Sequence, residues 1–162
     1  MQCQQHSCAG CGGASGCHGC GQPREIRLRR NEADFLLRFA ELPFLPAVQF
    51  SLRRFGEPSQ EGDNLAPVFL QAVSDSLEDA CHTASILQRL SRLGLISISY
   101  TEPLGHFNYS DYVNSRAFTE FCARASGFAV PEIEYGSMAL TASGQEAIDD
   151  LELTVLPRAK TM

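Results

Sequence analysis

Lysine is all but missing from this chain. Lys160 is the single example, so nearly all positive charge rests on arginine. Also missing is any apolar run approaching the roughly 18 residues that a membrane-crossing helix needs, so no membrane association is expected. The first residues lack the apolar stretch of a secretory signal, and the chain reads as cytoplasmic. No phosphate-binding glycine loop, nucleophile elbow or zinc-protease helix occurs, which argues against an enzyme. No internal repeat is present. Residues 1–23 contain no Asp, Glu, Lys or Arg at all. The net charge of −6 is therefore unevenly placed: Arg24, Arg27, Arg29 and Arg30 cluster in "REIRLRR", and beyond residue 30 the chain carries −9. Nucleic-acid affinity rests on basic side chains that neutralise phosphates, so so acidic a body is a poor footprint for it.

What is abundant is cysteine, in one place. The stretch "CQQHSCAGCGGASGCHGCGQ" (3–22) holds five of the seven cysteines with six glycines and two histidines. A reducing cytosol favours metal or redox chemistry over structural disulfides for such a cluster. Cys8 and Cys11 form one Cys-x2-Cys pair, Cys17 and Cys20 a second, and Cys3, His6 and His18 are further candidate ligands. Each Cys-x2-Cys turn converges two thiolates, and two turns make a tetrahedral set suited to zinc. The glycines let the backbone fold round the ion. Only five residues separate the pairs, fewer than in most zinc ribbons, so an iron–sulfur cluster is the alternative cofactor. A thiol-rich tail without a built site is the third reading. Without metal the segment has nothing to pack and is expected to be disordered.

The remaining pattern is that of an α+β domain. "EIRLRR" is a short strand or a lead-in arm. "NEADFLLRFAEL" is a helix capped by Asn31 and Asp34, with Phe35, Leu36, Phe39 and Leu42 at helical spacing before Pro43. "FLPAVQFSLRRF" places Val48, Phe50 and Leu52 on one parity of an extended segment, and "APVFLQ" is a brief strand. The strongest helix signal is "SLEDACHTASILQRLSRLG": Ser76 and Asp79 cap it, Ile86, Leu87, Leu90 and Leu93 form its apolar face, and Gly94 ends it. "LISISY" is a strand. "SDYVNSRAFTEFCARASG" is an amphipathic helix with Val113, Ala117, Phe118, Phe121 and Cys122 inward. "EIEYGSMALT" is a strand with a bulge at Gly136, and Ser143 and Glu146 open a last helix.

Two of these segments together resemble the winged helix-turn-helix domain of the bacterial MarR and PadR regulators: "ILQRLSRLGLISISY", with Leu93–Ile96, and "YGSMALTASGQEAIDDL", with Leu140–Gly144. The resemblance implies that the helix from residue 76 is the recognition helix, and that strands 95–100 and 133–141 pair as the wing. Composition and charge set off a Cys/Gly-rich N-terminal tail (1–23), a basic linker (24–30) and a C-terminal tail (157–162), and the resemblance makes residues 31–156 a winged-helix-like domain, which departs from the usual pattern by a helical insertion in the wing (about 103–131). It further implies a transcriptional regulator that binds DNA through Arg89 and Arg92, assisted by Arg24, Arg27, Arg29 and Arg30, with the cysteine tail responding to metal or redox state. Glu78 and Asp79 on the same helix favour instead a solvated face. The alternative is a protein-interaction or metal-handling module on the same scaffold, without DNA binding, whose partner is another protein or a second copy.

Other residues carry less. Cys122 reads as a buried structural cysteine. His82 and His106 are isolated, and Asp149 and Asp150 diverge on a helix as part of a solvated face. The aromatic run "HFNYSDY" packs the insertion against the domain or lines a small groove.

Overall fold

Residues 44–53 alternate so that Leu45 and Ala47 fall on one side and Val48, Phe50 and Leu52 on the other, and all five are buried. A strand with apolar residues on both faces belongs at the centre of a sheet, with a core on each side. The computed structural model, which describes residues 26–60 and 62–155, has this arrangement. Its elements are α1 (Arg30–Leu36), α2 (Arg38–Glu41), β1 (Phe44–Arg53), β2 (Asn64–Val68), α3 (Leu77–Arg92), β3 (Ile96–Ser99), α4 (Ser110–Val113), α5 (Arg116–Cys122), β4 (Val130–Leu140) and α6 (Ala142–Val155). The fold is a mixed α+β arrangement round a four-stranded antiparallel sheet of order β2-β1-β4-β3.

One core gathers Phe35, Leu36 and Phe39 with Leu45, Ala47, Leu87, Leu90, Met138 and Ile148. The other gathers Val48, Phe50 and Leu52 with Leu77, Ala80, Tyr112, Ala117 and Phe121. Helix α3 contributes to both, Leu77 and Ala80 to one and Leu87 and Leu90 to the other, and so is the central strut. It starts where its sequence predicts: the Ser76 hydroxyl accepts from the Asp79 N–H and the Asp79 carboxylate accepts from the Ser76 N–H. Gly94, at φ 74°, ends it in the left-handed conformation that glycine adopts without strain. The expected pairing of strands after this helix is present, with Ile96 opposite Leu140 through Ser99 opposite Ser137, and α4 and α5 lie between the paired strands in sequence.

Several expectations are corrected. Of the two readings of "EIRLRR", the structure has the lead-in arm and not the strand over residues 26–29. Helix α1 is capped by Arg29 and Glu32, not Asn31 and Asp34, because the buried Glu32 carboxylate takes the Arg29 N–H at 2.9 Å. Leu42 lies past the end of α2 and is exposed. The single helix expected over 110–127 is two, interrupted where Ser115 turns back to cap α5 by accepting from the Phe118 N–H; Tyr112 faces inward and Val113 is exposed. The β1–β4 ladder runs without a break through Gly136, and the irregularity lies instead between β1 and β2, at Val48 to Phe50. Gly136 is needed for a different reason: a Cβ there would collide with the Ser99 carbonyl where the chain leaves β3. Finally, Thr141, not Ser143, caps α6. Its hydroxyl donates to the Gly94 carbonyl at 2.6 Å and accepts from the Gly144 N–H at 3.0 Å, tying the end of α3 to the start of α6.

The chain before α3 also differs from a helix-turn-helix. Strand β2 and a turn precede α3, where that motif has a helix.

Candidate functional site

The polar face of α3 is divided by charge. Its first turn is acidic and its last turn basic, the order that suits the helix dipole. At the acidic end Asp75, Glu78, Asp79 and His82 line one shallow pocket. Much of this charge is engaged locally: Asp75 accepts from the Gln71 and Ala72 N–H groups, and hydrogen bonds from the Ser76 hydroxyl and then the Ser76 backbone hold the Asp79 carboxyl below the usual carboxylate range.

At the basic end three of the expected arginines come together. Arg29, Arg89 and Arg92 surround a pocket of about 300 Å3 between the start of α1 and the outward face of α3, with Asn31, Ser85 and Glu32 in its wall. Glu32 is 2% exposed. Its Oε1 lies 2.8 Å from Arg89 Nε, a close ionic contact not aligned as a hydrogen bond, and 4.0 Å from Arg29 Nε. Arg92 Nε donates to the Gln88 carbonyl at 3.3 Å. Gln88 in turn donates through Nε2 to the Ala66 carbonyl at 2.7 Å and closes one side of a wider open groove between β2 and β3, with Arg92 and Tyr100 also on its wall. Burial raises the Tyr100 phenol above its ordinary value.

Arg30 is not in the pocket; its exposed side chain lies 3.9 Å from Asp34. Arg27 is on the lead-in segment, and Arg24 lies outside the described residues. So do all the expected metal ligands: Cys3, His6, Cys8, Cys11, Cys17, His18 and Cys20. Among the described residues no three of His, Cys, Asp and Glu gather as a metal site, and no helix is long and apolar enough to cross a membrane. Cys81 and Cys122 are free and half-buried, and burial pushes the Cys122 thiol up, away from the reactive thiolate. His106, Asp149 and Asp150 are exposed. The aromatic run packs the insertion onto the sheet: Tyr109 stacks on Tyr135 at 4.9 Å, donates to the Gly136 carbonyl at 2.6 Å and accepts from the Leu104 N–H at 2.8 Å.

Sequence reasoning missed Glu32 and Asn31 as parts of this site. Capping rules favour Ser, Thr, Asp or Asn at the cap. They pass over an arginine whose N–H is held by a glutamate three residues on.

The fold and its polar surfaces thus define a small mixed α+β arrangement with an arginine pocket between α1 and α3. No family model, curated protein or solved structure matches the chain.

Proposed function

We propose that the protein is a non-enzymatic, winged-helix-like regulator of the cytoplasm, carrying a metal- or redox-responsive thiol segment at its N-terminus. The observation that carries this reading is the succession of α3, the tight Gly94 turn and the β3–β4 pair, with Arg89 and Arg92 on the outward face of α3 beside Arg29 of the lead-in segment. Guanidinium groups on one face supply the charge that a phosphate backbone needs, and bidentate geometry suits them to it. The lead-in segment joins the thiol segment directly to this surface in sequence. Two Cys-x2-Cys pairs suit zinc, or an iron–sulfur cluster in its place, and binding requires the thiols to lose their protons. Metal then shifts DNA affinity to the extent that one conformational state of the protein holds the ion better.

Gel retardation of short duplexes by the reduced full-length chain tests this. Retardation that weakens steeply between 50 and 200 mM salt is the expected result. No retardation at low salt removes the DNA reading.

A second reading is favoured by the acidic first turn of α3 and by the strand that precedes it. These suit a protein-interaction or metal-handling module in which the scaffold does not bind DNA. It predicts metal bound by the thiol segment with no retardation at any salt concentration.

A further inference from the structure

We propose that the pocket between α1 and α3 is a specific binding site for a phosphate-type oxyanion, a property that stands whether or not the protein binds DNA. Two of the three guanidinium groups, those of Arg89 and Arg92, are engaged at their Nε end, and the exposed Arg29 comes within 4.0 Å of the same carboxylate as Arg89. Arg89 Nε, itself buried, lies against Glu32; Arg29 Nε approaches the same carboxylate; Arg92 Nε donates to the Gln88 carbonyl. No protein acceptor among the described residues takes the terminal nitrogens of these arginines. A guanidinium fixed in this way loses little rotamer freedom when it binds, and its two outer nitrogens match two oxygens of a phosphate.

The charges of the wall sum in favour of an anion. Three arginines face one carboxylate, and that carboxylate is 2% exposed and covered by two of them. Asn31 and Ser85 add neutral polar groups at the wall. His82 lines both this pocket and the acidic one, and the charge on α3 passes from Glu78 and Asp79 in its first turn to Arg89 and Arg92 in its last. A volume of about 300 Å3 admits a phosphate or pyrophosphate group. Glu32 acts as a positioning residue: it sets the Arg89 guanidinium and does not itself meet the ligand.

The test is thermal unfolding of the full-length chain titrated with inorganic phosphate and with pyrophosphate, ionic strength held constant with chloride. Wild type and Arg124→Gln, an exposed control away from the pocket that lowers the net charge by one as Ser85→Glu does, are expected to show saturable stabilisation. The double variant Arg29→Gln/Arg92→Gln is expected to bind at least tenfold more weakly. So is Ser85→Glu, which places a carboxylate in the wall from an exposed position without altering Glu32 or any of the three arginines. Equal stabilisation by chloride, or unchanged affinity in both pocket variants, overturns the proposal. A duplex that displaces phosphate from the wild type assigns the site to backbone phosphate; a duplex that leaves the isotherm unchanged assigns it to free phosphate compounds.

Discussion

At the scale of single residues, Glu32 and Gly136 show how chemistry on a surface depends on what is buried beneath it. Glu32 is held out of water by Arg89 and Arg29, and removing one partner of a buried pair strands the other charge. Arg89→Ala is therefore expected to destabilise the fold by on the order of 3 kcal/mol, read from urea denaturation. Arg92→Ala, whose side chain is exposed, is expected to stay within about 0.5 kcal/mol of wild type. Gly136 has backbone, not a yielding side chain, where a Cβ would go. Gly136→Ala is expected to lower stability by about 1–3 kcal/mol, checked by the same denaturation. Glycine at 136 was legible as special from the sequence, but as a bulge. What the sequence lacks is any trace of the Ser99 carbonyl, which arrives from a strand distant in the chain.

Among elements, α3 was the most legible, since its cap, apolar face and terminating glycine are all local signals and all three agree with the structure. Helix α1 was less so, because its cap is set by Glu32, whose burial depends on Arg89 from α3. Two further carboxylates hold backbone in place, one between elements and one within a loop. Glu120 of α5 accepts from the Leu77 N–H at 2.8 Å at the first turn of α3, and Arg116 donates to it at 2.6 Å. The Leu77 N–H first, then Arg116, hold its carboxyl below the ordinary value. Asp63, in the loop between β1 and β2, accepts from the Gln60 N–H and is clasped by Arg54; both lower its carboxyl, the Gln60 bond more. A carboxyl lowered in the folded state stabilises it above the unfolded pKa, and that contribution is lost as pH falls through the folded value. Denaturation midpoints measured from pH 7 down to pH 3 are thus expected to fall in the wild type, and to fall less in Asp63→Asn and in Glu120→Gln. Parallel curves for wild type and both variants contradict the assignment.

For the whole molecule, the α+β class was legible in short-range periodicity and glycine stops, and the β3–β4 pairing, between segments far apart in the chain, only through the resemblance that those two segments carry. The sheet order was not, since it depends on β1 pairing along its length with β4, far along the chain, as well as with the nearby β2. The arginine pocket was half legible: its three guanidiniums stand out in an acidic chain, but only the docking of α1 on α3 brings Arg29 to Arg89 and Arg92. The cysteine ligands lie outside the described residues, so their spacing is the whole of their case. That case is tested most directly by elemental analysis of zinc and iron in protein purified reduced and without oxygen, comparing wild type with Cys8→Ser/Cys11→Ser. The account predicts about one zinc ion, or one iron–sulfur cluster, per wild-type chain and a clear loss in the variant. Equal metal content in both, or none in the wild type, contradicts it.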